Sequence, residues 1–417
     1  MAAIDAGRVA WWREPTKDQW YAYMAAWLGW TLDAFDFFVV VFLYDTLAAE
    51  FHVSKTLIVA TVTATLATRP LGALLFGLAA DRYGRRIPLM VDVIFFSAVE
   101  VLCGFSVNFT MFLVLRILYG IGMGGEWGVG ASLAMESAPR RLRGVLSGFL
   151  QSGYSFGYLL AAIAARLILP HFGWRWMFWV GGIPALLALY IRTKVPESEA
   201  WMQHKLPSFG AILRETHRYW KRFLFLIVLM TLMMFLSHGT QDLYPDFLKH
   251  EHHISPNNVA YIVMLYNVGA ILGAILFGQV SERFGRRYGM LVALALALLM
   301  IPLWAFGWNV GILALGAFLI QMGVQGAWGI IPAHLVEVSP DATRGLVPGL
   351  AYQLGILMAA PTNSIEYALR DAVGYRWAIA SFEIVTIVLL GIVVWLGREE
   401  RGKVFTKTVT ASEVEAR

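Results

Sequence analysis

The feature that most restricts how this chain can fold is an internal repeat at a constant offset of 201 residues. Gly77, Asp81, Arg82, Gly84, Arg85 and Arg86 recur as Gly278, Glu282, Arg283, Gly285, Arg286 and Arg287. The same shift pairs Gly122, Gly125, Trp127 and Gly128 with Gly323, Gly326, Trp328 and Gly329. It also pairs Glu136, Pro139, Arg143 and Gly144 with Glu337, Pro340, Arg344 and Gly345, and Gly173, Arg175 and Trp176 with Gly374, Arg376 and Trp377. A chain written twice folds as two similar units.

Apolar runs of spanning length fall at about 20–44, 56–80, 87–106, 109–136, 143–168 and 173–192, and again at about 222–248, 256–280, 288–306, 309–337, 344–369 and 374–397. With 58% of 417 residues hydrophobic and 15% charged, too few polar side chains remain to cover a soluble globule or a large catalytic domain outside a bilayer. The expected fold is therefore all-α and membrane-embedded, with twelve transmembrane helices in two six-helix bundles. Its parts are a leader (1–19), a first bundle (20–192), a linker (193–221), a second bundle (222–397) and a tail (398–417). An even number of spans per copy gives both halves the same orientation. That is the arrangement expected of an alternating-access transporter with its substrate site near midplane, between the halves.

The basic residues set the orientation. Arg82, Arg85, Arg86, Arg140, Arg141, Arg143, Arg283, Arg286, Arg287 and Arg344 fall in one set of loops, together with much of the linker and tail, whereas the opposite loops are nearly empty or mix signs. The positive-inside bias places both termini and the linker in the cytoplasm of a bacterial inner membrane. The polar Met1–Gln19 stretch, with no apolar core, reads as a leader and not as a cleaved signal. The net charge of +5 is thus topology, and no nucleic-acid partner is expected. Cys103, the single cysteine, excludes an intrachain disulfide and any cysteine-based metal site. Gly120-x-Gly122-x-Gly124-Gly125 follows no strand, so it reads as helix packing and not as a dinucleotide loop; Gly120, Gly124 and Gly128 form a small-residue face.

Gly77-x-x-x-Asp81-Arg82-x-Gly84-Arg85-Arg86, with its second copy after span 8, resembles the signature loop of the major facilitator superfamily. The resemblance implies the major facilitator fold and a conformational gate that uses Asp81, Arg82, Arg85, Arg86 and Glu282. The repeated Glu136, Arg143, Arg283, Arg286, Glu337 and Arg344 are grouped with that gate.

Positions that agree between the copies serve architecture or the gates, whereas intramembrane polar residues that break the symmetry are candidates for substrate and coupling ion. Arg69 faces Ala270 in the comparison, Asp33 faces Met234, Asp36 faces Ser237 and Glu126 faces Ala327. Arg69 precedes Asp81 by 12 residues, about 18 Å of helix, near the middle of a core about 30 Å thick. An arginine there costs at least about 2.5–3.5 kcal/mol and needs a partner. Its planar fork suits a carboxylate substrate, with a permanent ion pair to Asp33, Asp36 or Glu126 as the alternative. Asp33, Asp36, Glu126 and Asp242 are the candidate proton carriers. In span 7, His238, Gln241 and Asp242 share a helix face able to bind carboxylate or hydroxyl groups. Tyr154 and Asn363 are further cavity candidates, and Asp92, Glu100, Glu366 and Glu383 have no assigned role.

The stretch Ser237-His238-Gly239-Thr240-Gln241-Asp242 resembles the span-7 signature of the lactate and pyruvate proton symporters, although Met234 stands where that signature has Asn. This resemblance implies substrate roles for Arg69 and for Gln353. Trp27 to Asp36 and Gly125-Glu126-Trp127-Gly128 are similar to the bacterial sialic acid permeases. The expected function is proton-coupled import of a small organic anion such as lactate or pyruvate, with a sialic acid or other acidic sugar or aromatic acid as the alternative. The proton is the coupling ion and no other cofactor, metal or catalytic constellation is expected. The partners are the anion, protons and the bilayer, and the chain is expected to act as a monomer.

Overall fold

The computed structural model describes residues 13–406, so the first part of the expected leader and the end of the expected tail lie outside the described residues. The described residues are mostly helical and contain no strand. In the first half these are α1 (Lys17–Phe42), α2 (Tyr44–Glu50), α3 (Lys55–Tyr83), α4 (Arg86–Cys103), α5 (Phe109–Ser137), α6 (Arg143–Leu167), α7 (Leu169–Phe172), α8 (Trp174–Val180) and α9 (Ala185–Lys194). The linker forms α10 (Glu199–His204) and α11 (Phe209–Arg218). The second half contains α12 (Trp220–Gln241), α13 (Tyr244–His250), α14 (Pro256–Phe284), α15 (Arg286–Phe306), α16 (Val310–Val338), α17 (Val347–Ala359), α18 (Thr362–Val373) and α19 (Tyr375–Leu396).

The repeat is carried into the backbone. Helices α3 and α14 each run 29 residues and α5 and α16 each run 29, with both bounds displaced by the sequence offset. Ser54 and Ser255, and likewise Asn108 and Asn309, accept a backbone N–H from the first turn of the helix they start. Gly84 and Gly285 take φ of 101° and 108°, a region that glycine alone enters without strain, and this allows the sharp turns from α3 into α4 and from α14 into α15.

Among the described residues, eight segments are long and apolar enough to cross a membrane: α1, α3, α5, α12 continued through α13, α14, α15, α16 and α19. Four more complete the twelve, and each departs from a plain apolar helix. Helix α4 carries Asp92 and Glu100, and α6 carries Arg143 and Arg166. The sixth span is broken between α8 and α9, where Gly181, Gly182 and Pro184 interrupt the hydrogen-bond ladder, and the eleventh between α17 and α18 at Pro361. The sequence reading had taken these two, and the span interrupted at Asp242–Leu243, as continuous.

Close approach between helices is set by glycine. A methyl group on Gly120 or Gly124 would overlap the backbone carbonyls of Thr65 and Arg69 in α3, and one on Gly72 would overlap that of Ile121 in α5. The expected stripe divides its work, because Gly128 faces Gly349 of α17 in the other half. Thr68 Oγ1 donates to the Ile117 carbonyl at 2.9 Å, a bond possible only at this spacing. The predicted consequence is that Gly124→Val lowers thermal stability in detergent by about 1–3 kcal/mol, the usual range for overpacking. Gly391→Ala, where the nearest atom is 4.0 Å away, should leave the unfolding midpoint unchanged.

Candidate functional site

The two halves are fastened at the end that carries the basic loops. Asp81, fully buried at the end of α3, accepts Arg85 Nη1–H at 2.8 Å, the Gly345 amide at 2.7 Å and the Leu346 amide at 3.0 Å. The last two belong to the other half. Its repeat partner Glu282 accepts Arg286 Nη1–H at 2.8 Å and, across the seam, the Gly144 amide at 2.6 Å. Arg85 forks onto both oxygens of Glu136 (3.2 and 2.9 Å), and Arg286 forks onto both oxygens of Glu337 (2.9 and 3.0 Å). Arg143 reaches Glu337 at 3.0 Å and Arg344 lies 3.9 Å from Glu136, so each half lends an arginine to the other's carboxylate. Arg82 instead lies over the Tyr83 ring, Arg283 is exposed, and Arg86 contributes its backbone N–H to Glu197.

The tail closes over this seam. Phe405, 4% exposed, holds its ring 4.0 Å from the guanidinium carbons of both Arg143 and Arg344. The Lys403 carbonyl accepts from Arg143 at 3.1 Å, and the Gly402 amide donates to Glu337 at 3.3 Å. The sequence reading places this tail in the cytoplasm but gives Phe405 no role.

Deeper in the first half lies a cluster of buried charge. Arg69 is 3% exposed, and its Nε and Nη2 have no hydrogen-bond partner. Among the described residues no carboxylate lies within 4.0 Å of it, so the alternative of a permanent ion pair with Asp33, Asp36 or Glu126 is not formed. Asp33 accepts the Tyr119 hydroxyl at 3.2 Å, which is shared with its own carbonyl at 2.9 Å. Both oxygens of Asp36, Asp92 and Glu126 are without a partner. The arginine that is paired is Arg116, which holds Glu100 at 2.8 Å with both side chains fully buried and lies 4.1 Å from the Tyr119 ring centre. Asp36 and Glu100 both line Gly181, at the break before α9.

Rings from both halves meet at the seam. Tyr352 of α17 stacks on Trp127 of α5 at 4.1 Å and meets Trp328 at 5.7 Å and Trp30 edge-on at 6.4 Å. Trp30 in turn stacks on Tyr154 at 5.4 Å. Arg69 is within electrostatic reach of Tyr352, Tyr154, His238, Asp33 and Glu126. Gln353, fully buried, donates to the Gly124 carbonyl across the seam at 3.4 Å, and its Oε1 has no partner.

Toward the opposite end the site opens. His238 Nδ1 is 3.1 Å from Asp242, with 41% and 36% of the two side chains exposed, and Asn363 donates to the same Asp242 oxygen at 3.2 Å. Gln241 turns away to Gln321 (2.9 Å), which is held in turn by Thr240 (3.0 Å). The structure therefore groups His238, Asp242 and Asn363 at the mouth and Arg69, Tyr154 and Gln353 at the seam, with Gln241 in a side-chain network of the second half.

Residues 18–211 match the family described as Sugar (and other) transporter, and residues 242–415 match the Major Facilitator Superfamily. The sialic acid transporter NanX of Escherichia coli K12 is 30% identical over 96% of this chain and 99% of its own length. The chain belongs to the major facilitator superfamily. It is thus an integral, multi-pass membrane transporter. A carboxylic acid transporter protein homolog of Saccharomyces cerevisiae is 31% identical over 86% of this chain, which spans 62% of that protein. Among solved structures, the proton:xylose symporter XylE bound to 6-bromo-6-deoxy-D-glucose has a TM-score of 0.76 at 20% identity, covering 96% of this chain and 98% of that one.

The site residues that escaped the sequence reading are Arg116, Tyr119, the rings of Trp30, Trp127, Trp328 and Tyr352, and Phe405. Arg116 breaks the repeat, since the offset pairs it with Ala317, so the symmetry comparison was able to find it. The Glu100–Arg116 pair has a direct consequence for stability. Glu100→Ala leaves Arg116 charged and alone, and should cost about 3–5 kcal/mol in thermal unfolding, whereas Glu100→Ala with Arg116→Leu should recover most of the loss.

Proposed function

We propose that this transporter imports a small organic anion by proton symport, with a monocarboxylate such as lactate or pyruvate as the substrate class. The observation that carries this reading is Arg69: a buried guanidinium with unpartnered N–H groups, beside the seam between the halves and next to a mouth lined by polar side chains. A carboxylate arriving there forms the charge-assisted pair that the protein itself does not supply. In this reading Arg69 binds the anion, Gln353 and Tyr154 shape its pocket, His238 and Asn363 serve the entrance, and Gln241 supports it from behind through Gln321.

Charge balance in the first half argues for the proton. Asp33, Asp36, Asp92, Glu100 and Glu126 are all fully buried, against Arg69 and Arg116. Fully ionised, the cluster would hold a net negative charge in a medium where each unpaired charge costs several kcal/mol. Protons on Asp33, Asp36 or Glu126, or on Asp242 at the mouth, relieve that cost, and the substrate carboxylate then cancels Arg69. The loaded protein is therefore better able than the half-loaded one to bury the site and exchange which end is open. The network of Asp81, Arg85, Glu136, Arg143, Glu282, Arg286, Glu337 and Arg344 acts as the gate on the basic end, which the positive-inside bias assigns to the cytoplasm.

A second reading, a sialic acid or another acidic sugar or aromatic acid, is favoured by the ring wall of Trp30, Trp127, Tyr154 and Tyr352, which offers flat apolar surface to a ring. The named substrates of NanX and of the niacin and muconate transporters among the relatives also carry a carboxylate.

Uptake of labelled lactate, pyruvate and sialate into proteoliposomes separates these readings. Acid outside should drive accumulation of at least one anion, and collapse of the pH gradient should abolish it; failure with every organic anion overturns the symport proposal. Arg69→Ala should weaken anion binding at least about tenfold, the loss of one charge-assisted pair, with the unfolding midpoint retained. Asp81→Asn removes the charge held by the Gly345 and Leu346 amides, and should slow uptake while leaving equilibrium binding of the anion within about twofold.

A further inference from the structure

At the basic end the seam is incompletely filled on one side. Arg140, Arg141 and Leu142 from the turn before α6, with Val145 and Phe149 from its first two turns, face Ile275, Gln279, Glu282 and Arg283 from the end of α14 across a cavity of about 560 Å³, with Arg401 and Gly402 of the tail as its third wall. Arg140, Arg141 and Arg283 are exposed, and among the described residues none of them has a carboxylate within 4.0 Å. Arg401 is spent on the carbonyls of Glu282 and Arg283, at 3.2 and 2.5 Å. The acid in the wall, Glu282, already accepts from Arg286 and from the Gly144 amide. The cavity therefore holds uncompensated positive charge from both halves at once.

Its polarity is layered. The arginines and Gln279 lie toward the helix ends, whereas Val145, Phe149 and Ile275 sit one to two turns farther into the spans. On the same helix as Ile275, Leu272 and Leu276 are 49% and 43% exposed, the outward apolar face of a membrane span. A soluble anion would satisfy the guanidinium groups but leave the apolar floor in water. A phospholipid satisfies both, with phosphate oxygens on the arginines and the start of an acyl chain against Phe149 and Ile275.

We propose that this cavity is a binding site for the headgroup of an anionic phospholipid of the leaflet at the basic end. Because Arg140 and Arg141 belong to the first half and Arg283 to the second, one bound headgroup bridges the two. It meets all three arginines only while the basic ends are together. By linkage, a ligand that prefers that state also stabilises it, so anionic lipid favours the conformer closed at the basic end.

The test is made on the purified full chain, without transport, so that it stands whatever the substrate proves to be. Short-chain phosphatidylglycerol is titrated into the protein in uncharged detergent, with binding followed by native mass spectrometry and by thermal unfolding, against phosphatidylcholine and inorganic phosphate. Phosphatidylglycerol should bind and raise the unfolding midpoint. Combining Arg140→Gln, Arg141→Gln and Arg283→Gln should raise its apparent Kd at least about tenfold while leaving the lipid-free midpoint unchanged. Arg283→Gln alone should lie between. For the conformational claim, Leu346→Cys is introduced in a Cys103→Ala background, since Leu346 is 1% exposed at the closed seam. Phosphatidylglycerol should slow its modification by a water-soluble maleimide at least about threefold, and the triple variant should lose this protection. Equal stabilisation by phosphatidylcholine or by inorganic phosphate alone, undiminished binding in the triple variant, or labelling that ignores the lipid would each overturn the proposal.

Discussion

The rest of the molecule depends on an exchange of carboxylates across the seam. Asp81 of the first half takes amides at the start of the second half's eleventh span, and Glu282 takes the amide at the start of the first half's fifth span. Hydrogen bonds to a charged acceptor are worth about 1.5–3 kcal/mol each, more than neutral ones, and those on Asp81 are fully buried. The arrangement is reciprocal because the sequence is a repeat: each acid lies at the end of a helix whose partner, 201 residues away, faces the mirror contact. Shut at this end by matched bonds, the two bundles diverge toward the other, which is why His238 and Asp242 are accessible while Arg69, deeper at the seam, is not.

The repeat also explains how far the fold could be read from the chain. Paired helix starts at Ser54 and Ser255, and glycines at Gly84 and Gly285, follow a local code that needs no tertiary information. The breaks at Pro184 and Pro361 were less legible, because apolar composition continues through them and composition was the signal used to draw the spans. Arg69 was found because a buried arginine is costly and breaks the symmetry. The unresolved point was whether a carboxylate of the protein holds it. Spacing along one helix cannot settle that, since Asp33, Asp36 and Glu126 lie on other helices whose rotation depends on packing. The structure settles the contact: Asp33 turns to Tyr119, and Glu126 packs beside Gly29. The ring wall was illegible for the same reason. Tryptophans in a membrane chain read first as interface markers, and only the approach of α5 to α17 through Gly128 and Gly349 brings Trp127 onto Tyr352.

The two halves differ most where the sequence departs from its own repeat. In the second half the buried counterparts of Arg69, Asp33 and Glu126 are Ala270, Met234 and Ala327, apolar side chains that pack without electrostatic cost. The first half therefore holds most of the buried charge, with Asp33, Asp36, Arg69, Asp92, Glu100, Arg116 and Glu126, and the second contributes rings and the polar side chains of the mouth. Such a division suits a mechanism in which the bundles move as rigid bodies. Most of the buried charge then travels with one bundle, while the other brings Gln353 and Tyr352 to the seam.

The tail fits the same logic at the end we propose as the gate. Arg143 pairs with Glu337 of the opposite half, and Arg344, paired with Asp341, lies 3.9 Å from Glu136 across the seam, so the two arginines meet on one ring in a poorly solvated seam. The Phe405 ring lies 4.0 Å from both, and its electron-rich face offsets part of their repulsion without adding a charge that would have to be broken later. An acid in that position would bind the arginines more strongly and make the gate harder to open. An aromatic ring instead gives a contact that is strong only when both arginines are present and dissolves when they separate, which is the property a reversible closure needs.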